Sequence, residues 1–138
     1  MDSSLIIFFS IIIILGAALL AIIGLNKGNK HLNVEYYRTE WLKIENHLIR
    51  EQKASYQMSV INADKLVDRA LKDSGLKGNT MGDRMKLMNK NFSNRNAVWD
   101  AHKLRNKIAH ESGTIVGYDD ARHALGGFKQ ALKDLGAI

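Results

Sequence analysis

Hydrophobic and polar positions divide this chain into two unlike parts. Leu5 to Leu25 reads LIIFFSIIIILGAALLAIIGL, an apolar run without charge in which Ser10 is the one polar side chain. About twenty apolar residues rising ~1.5 Å each span the ~30 Å of a bilayer's hydrocarbon core. The leading MDSS carries no Lys or Arg, and no small-x-small cleavage site precedes a mature start. The pattern therefore predicts an uncleaved transmembrane anchor over 1–25, with the span at about 5–25, rather than a secretory signal. Ser10, Ala17, Ala21 and Gly24 fall near one face, a weak small-residue surface for helix pairing.

A polar linker, 26–33 (NKGNKHLN), leads into a region with helical periodicity and no proline, 34–138. Val34, Tyr37, Trp41, Ile44 and Leu48 are spaced three and four apart, a narrow apolar seam. After a polar patch from Arg50 to Ser55 come Met58, Ile61, Leu66, Val67, Ala70 and Leu71. Nothing between the two stretches breaks a helix, so one bent helix and two separate helices both fit. Gly75 and the Lys77-Gly78-Asn79 turn end the segment. Thr80 with Asp83 resembles an N-cap opening a short helix through Met85 and Met88. Ser93 or Asn94 caps the next helix, which stops near Ser112-Gly113. Asp119 or Asp120 caps the last, whose stripe is Ala121, Ala124, Leu125, Phe128, Ala131, Leu132 and Leu135. There is no alternating strand pattern. The expected fold is all-α: an N-terminal transmembrane helix followed by a bundle of four or five helices with one modest core.

Charge adds direction. Asp2 is the one charged residue before Lys27, so beyond the span 20 basic residues face 13 acidic ones, a net charge of +7. Lys27, Lys30 and Arg38 follow the span closely, which orients a single-pass protein of the cell (inner or plasma) membrane with its N-terminus outside and its bundle in the cytoplasm. A basic domain beneath a bilayer attracts nucleic acid or anionic headgroups, although a solvated surface with ordinary excess charge fits equally. The chain has no cysteine, which removes disulfides and thiolate metal sites and agrees with a reducing compartment.

Most of the candidate chemistry lies on one helix, Trp99-Asp-Ala-His-Lys-Leu-Arg105-Asn106-Lys-Ile-Ala-His110-Glu111. Arg105 supplies a permanent planar fork of donors, and His110 a group that exchanges a proton near neutral pH. At roughly 100° per residue, Ala97, Ala101, Leu104 and Ile108 form the core face. Asn106 lies nearly opposite, flanked by Trp99, His102 and His110, with Arg105 on the shoulder and Lys103 and Lys107 towards one edge. His102, Asn106 and His110 form an i, i+4 ladder. A tryptophan on the outer face points to a second buried surface, a partner subunit or a cleft, unless a neighbouring helix covers it. A zinc-protease pattern fails because Lys103, not Glu, follows His102, so no metal and no cofactor are expected. Asp64 and Asp68 read as an i, i+4 pair salt-bridged to Lys65, Lys72 or Arg69. His31, His47 and His123 read as surface or linker residues.

The segment Leu104-Arg105-Asn106-Lys107-Ile108-Ala109-His110-Glu111 resembles the signature of HEPN domains, helical nucleotide-binding bundles: Arg, usually a polar residue, then His after four to six positions. The helical context, with the motif late and one amphipathic helix after it, is similar too. The resemblance implies a membrane-anchored HEPN-like protein, a metal-independent endoribonuclease of toxin or defence type. Its Arg/His site would line the cleft of a homodimer. Arg105 would clamp the scissile phosphate, His110 would be the general acid or base, and Asn106 would position the phosphate or His110. His102, Lys103 and Lys107 would contact RNA phosphate, and Trp99 would pack at the dimer or in the cleft. The implied partners are a second copy, RNA or nucleotide, the bilayer, and an antitoxin or other protein. The alternatives are a non-catalytic RNA- or nucleotide-binding module and a membrane-tethered helical scaffold.

Overall fold

The computed structural model describes residues 3–25 and 31–138, so most of the expected linker lies outside the described residues. The first helix, α1 (Ser3–Leu25), is uninterrupted. Its Ser3–Ala21 stretch has a mean hydropathy of 2.8 and is long and apolar enough to cross a membrane. Ser10 donates its hydroxyl to the Ile6 carbonyl at 2.8 Å, so the one polar side chain of 5–25 finds its partner within the helix.

The remaining elements are α2 (Val34–His47), α3 (Lys53–Asp73), α4 (Met81–Met88), α5 (Arg95–His110) and α6 (Tyr118–Asp134), and among the described residues there is no strand. Two helices, not one bent helix, occupy 34–73. The break has a local cause: Leu48 leaves the helical region with ψ 91°. The Ser55 hydroxyl then bonds the Ile49 and Gln52 carbonyls, and the Tyr56 hydroxyl donates to the Arg50 carbonyl.

Helix starts follow side-chain chemistry. Asn33 accepts from the Tyr36 N–H at 3.0 Å, and Asn94, rather than Ser93, accepts from the Ala97 N–H at 3.1 Å. Thr80 and Asp83 form the expected reciprocal box, 3.1 and 3.2 Å. The expected Asp cap of α6 is corrected. Gly117 is the capping position, and Asp120 reaches back from the third helical position to accept its N–H at 2.9 Å. Gly75, at φ +85°, ends α3 in the left-handed region that an L side chain adopts at a cost.

The core lies where α3 and α6 cross, on Val60, Ala63, Val67, Leu71, Phe128 and Leu132, with Tyr37 and Trp41 of α2 closing one side. α5 and α6 touch backbone to backbone: a Cβ on Gly127 would lie 2.6 Å from the Ala97 carbonyl oxygen. On α3 the expected stripe holds from Leu66 onward and fails before it. Leu66, Val67, Ala70 and Leu71 are buried, whereas Met58 is exposed and Ile61 only half-buried. Met58 lies about 200° round the helix from Val60. Tyr56, Ser59, Val60, Ala63 and Asp64 hold the covered face instead.

Candidate functional site

Helix α5 buries Val98 and Ala101, while Ala97, Leu104 and Ile108 are half-buried. Its covered arc is therefore wider than the predicted face and turned towards α3. That turn brings Arg105 from the shoulder into contact with a carboxylate across the interface. Asp64 is 4% exposed. Its Oδ2 lies 3.3 Å from Arg105 Nε, an ion-pair distance off the hydrogen-bond direction. Its Oδ1 lies 2.7 Å from His102 Nδ1. A carboxylate only accepts, so Nδ1 carries the proton in this bond. Arg105 Nη1 also donates to Asn106 Oδ1 at 3.1 Å.

One turn along α3, Asp68 makes a second cluster. Arg84 of α4 donates to its Oδ1 from Nε and Nη2 at 2.9 and 2.6 Å, and to the Gly78 carbonyl at 2.6 Å. Lys72 Nζ approaches Asp68 Oδ2 at 2.7 Å. Burial opposes the charged form of Asp68. The hydrogen bonds and positive charge of Lys72 and Arg84 outweigh it and hold the carboxyl below its usual range. The expected surface pairing thus holds for Asp68 with Lys72 and is corrected for Asp64. Arg69 turns instead to Asp73, at 3.7 Å, and to Tyr36. Asp64 sits in phase with the core residues of α3, where a solvated lysine does not reach it.

Between these clusters runs a groove of about 570 Å³ walled by α3, α5 and the start of α4. Lys65, Lys72, Arg84 and Arg105 line it against Asp64 and Asp68, a balance of +2 with His102 uncounted. Thr80 and Gly82, at the start of α4, also line it. The chemistry suited to such a cleft is recognition of an anion with several acceptor oxygens.

The expected site residues separate into those the fold gathers and those it leaves apart. Arg105, Asn106 and His102 line the groove. His110, the last residue of α5, is exposed and does not line it; it follows Asn106 on the same stripe, one turn further along the helix. Lys103 and Lys107 are exposed and also stand away, Lys103 lying 3.5 Å from Asp100. Trp99 is half-buried and covered by its own bundle. Its Nε1 donates to Asn89 Oδ1 at 3.0 Å, its ring lies against Gly82, and it meets His102 edge-on. The second surface inferred from this tryptophan is thus supplied by the α4 region. Asp64 and Arg84 were not legible as site residues. Their one sequence signal is a charge placed in phase with apolar core positions. Among the described residues no group of three His, Cys, Asp or Glu side chains converges.

Comparison of the chain with protein-family models, with curated proteins and with solved structures gives no match.

Proposed function

We propose that this chain is a membrane-anchored, HEPN-like, metal-independent endoribonuclease that works as a homodimer. The observation that carries the proposal is the division of the motif. Arg105 and Asn106 face a cationic groove, while His110, one turn beyond Asn106 at the end of the same helix, stands exposed outside it. Phosphate seated in the groove meets the Arg105 fork, which stabilises charge developing on the phosphoryl oxygens. Cleavage by the adjacent 2′-hydroxyl then needs proton transfer, and His110 takes part in it as general acid or base. A second copy laid across the outer face of α5 brings an exposed His110 to a groove that its own chain does not reach. α1 is the single-pass anchor, and the lysines after it favour a cytoplasmic bundle.

The test is cleavage of single-stranded RNA by the full chain in detergent micelles with EDTA present. Arg105→Lys, which keeps the charge and loses the fork, and His110→Ala are expected to lower cleavage about 100-fold. Both should retain wild-type helix content and unfolding temperature.

A second reading, RNA binding without cleavage, is favoured by the ties of Arg105 to Asp64 and Asn106. Binding that weakens steeply with salt, with no product formed, selects it. Absence of both binding and cleavage overturns the two together.

A further inference from the structure

We infer that Asp64 and His102 form a functional pair in the groove. Asp64 acts as a positioning residue that fixes the imidazole, and His102 Nε2 meets the 2′-hydroxyl beside a phosphate held by Arg105. The inference rests on the proposal that the groove receives RNA phosphate.

Three observations converge on the pair. Asp64 stands between two α5 side chains about one turn apart, hydrogen-bonded to His102 through one oxygen and ion-paired with Arg105 through the other. Of the two neutral tautomers, its bond to Nδ1 selects the one that leaves Nε2 as acceptor, and His102 makes no other side-chain hydrogen bond among the described residues. The ring is held firmly, with a side chain 12% exposed, one edge against Trp99 and a place in the groove wall. A buried carboxylate that orients one imidazole nitrogen frees the other for proton transfer.

The neighbouring carboxylate shows what a purely structural pair looks like here. Arg84 is 5% exposed, and all three of its nitrogens donate to Asp68 or Gly78. The Arg105 side chain is 30% exposed and its Nε has no aligned acceptor. Both clusters line the groove, but Arg84 has all its nitrogens bonded within the fold, whereas Arg105 makes one such bond, from Nη1 to Asn106.

His102 and His110 stand two turns apart, about 12 Å along α5, too far for one chain to set both against one phosphate. The work then divides between copies. His102 Nε2 takes the 2′-hydroxyl proton as the O2′–P bond forms. The P–O5′ bond breaks, and the 5′-oxygen takes a proton from His110 contributed by the second copy. Solvent restores both imidazoles, leaving a 2′,3′-cyclic phosphate and a 5′-hydroxyl end.

The test uses the full chain in micelles with 15N-labelled histidine, and His102→Gln to assign the resonance. Uridine 3′-monophosphate is the probe, since it presents a 2′-hydroxyl beside a phosphate. The expected wild-type spectrum is that of the Nδ1–H tautomer, with an Nε2 signal that moves as the probe binds. Asp64→Asn is expected to abolish the tautomer preference and to lower RNA cleavage about 100-fold, with helix content unchanged by circular dichroism. A merely structural pair would leave the Nε2 signal in place while the probe binds, and that result overturns the inference. His102→Gln cutting as fast as wild type, with His110→Ala silent, overturns it and leaves the endoribonuclease standing. A wild-type chain that does not cut, but whose Nε2 signal follows the probe, removes the endoribonuclease and keeps the pair as a ligand contact. Neither cleavage nor binding removes both.

Discussion

The two sides of α3 are built on opposite principles. Towards α2 and α6 it presents Val60, Ala63, Val67 and Leu71 to Tyr37, Phe128 and Leu132, an interface apolar at its centre whose charges, Arg69 on the Tyr36 hydroxyl and Asp73 on the Tyr37 hydroxyl, meet α2 through tyrosine hydroxyls. Towards α4 and α5 it presents Asp64 and Asp68, each met by two cationic or imidazole side chains from outside its own position. Full burial of a large apolar side chain contributes about 1.5–3 kcal/mol, so the first side accounts for the bundle's existence. A buried ion pair adds little over well-packed apolar residues of the same volume, yet breaking one partner is costly. Stability alone therefore does not explain why the second side carries charge. That difference singles out the groove as the candidate site.

The comparison can be broken hardest on its apolar side. Phe128→Ala is expected to destabilise the bundle by about 3–5 kcal/mol, read as a lowered unfolding temperature with no loss specific to phosphate binding. On the charged side, Asp68→Ala strands Arg84 in a buried position. The expected cost is about 3 kcal/mol, at the low end for a buried pair because 21% of the Asp68 side chain is exposed. Its pH signature distinguishes it from a packing defect. The folded carboxyl is held below its usual range, so its contribution is complete above pH ~4 and is lost as pH falls through the lowered folded value. Wild type should lose stability over that acid range, and Asp68→Asn should flatten the loss. A mutant curve parallel to wild type would count against the pair.

Gly127→Ala probes the α5–α6 contact, where the new methyl meets backbone that cannot turn aside. About 1–3 kcal/mol is expected from overpacking, and a neutral result would mean that α5 shifts freely on α6. Least costly is Asn94→Ala, which removes the cap of α5. It should cost about 1 kcal/mol and fray the helix start without disturbing Asp64, His102 or Arg105.

Periodicity reveals α2 and α6 almost whole, because each packs one continuous face on the core. It misphases the start of α3, where Met58 is expected inside and Tyr56 takes the place. The cause is the break at Leu48–Gln52, which lets α3 set its own rotation after α2 has ended. On α5 the motif itself is visible in the sequence, but its surroundings are not. Asn106 and Trp99 read as an outer face because a wheel of one helix does not include α4, the short element that walls the groove over them.

Residue order alone therefore determines the local features: an apolar helix of bilayer length, the capping of the later helices by Thr80, Asp83 and Asn94, the all-α character of the bundle, and an Arg-Asn-x-x-x-His segment late in it. These depend on contacts within one or two turns. The pairing of Asp64 with His102 and Arg105 joins positions 38 and 41 apart, and the groove needs three helices at once. Packing selects those neighbours, since the angle at which α5 rests on α3 decides which side chains share a cleft. It decided that Arg105 and Asn106 share theirs with His102, and that His110 lies outside it.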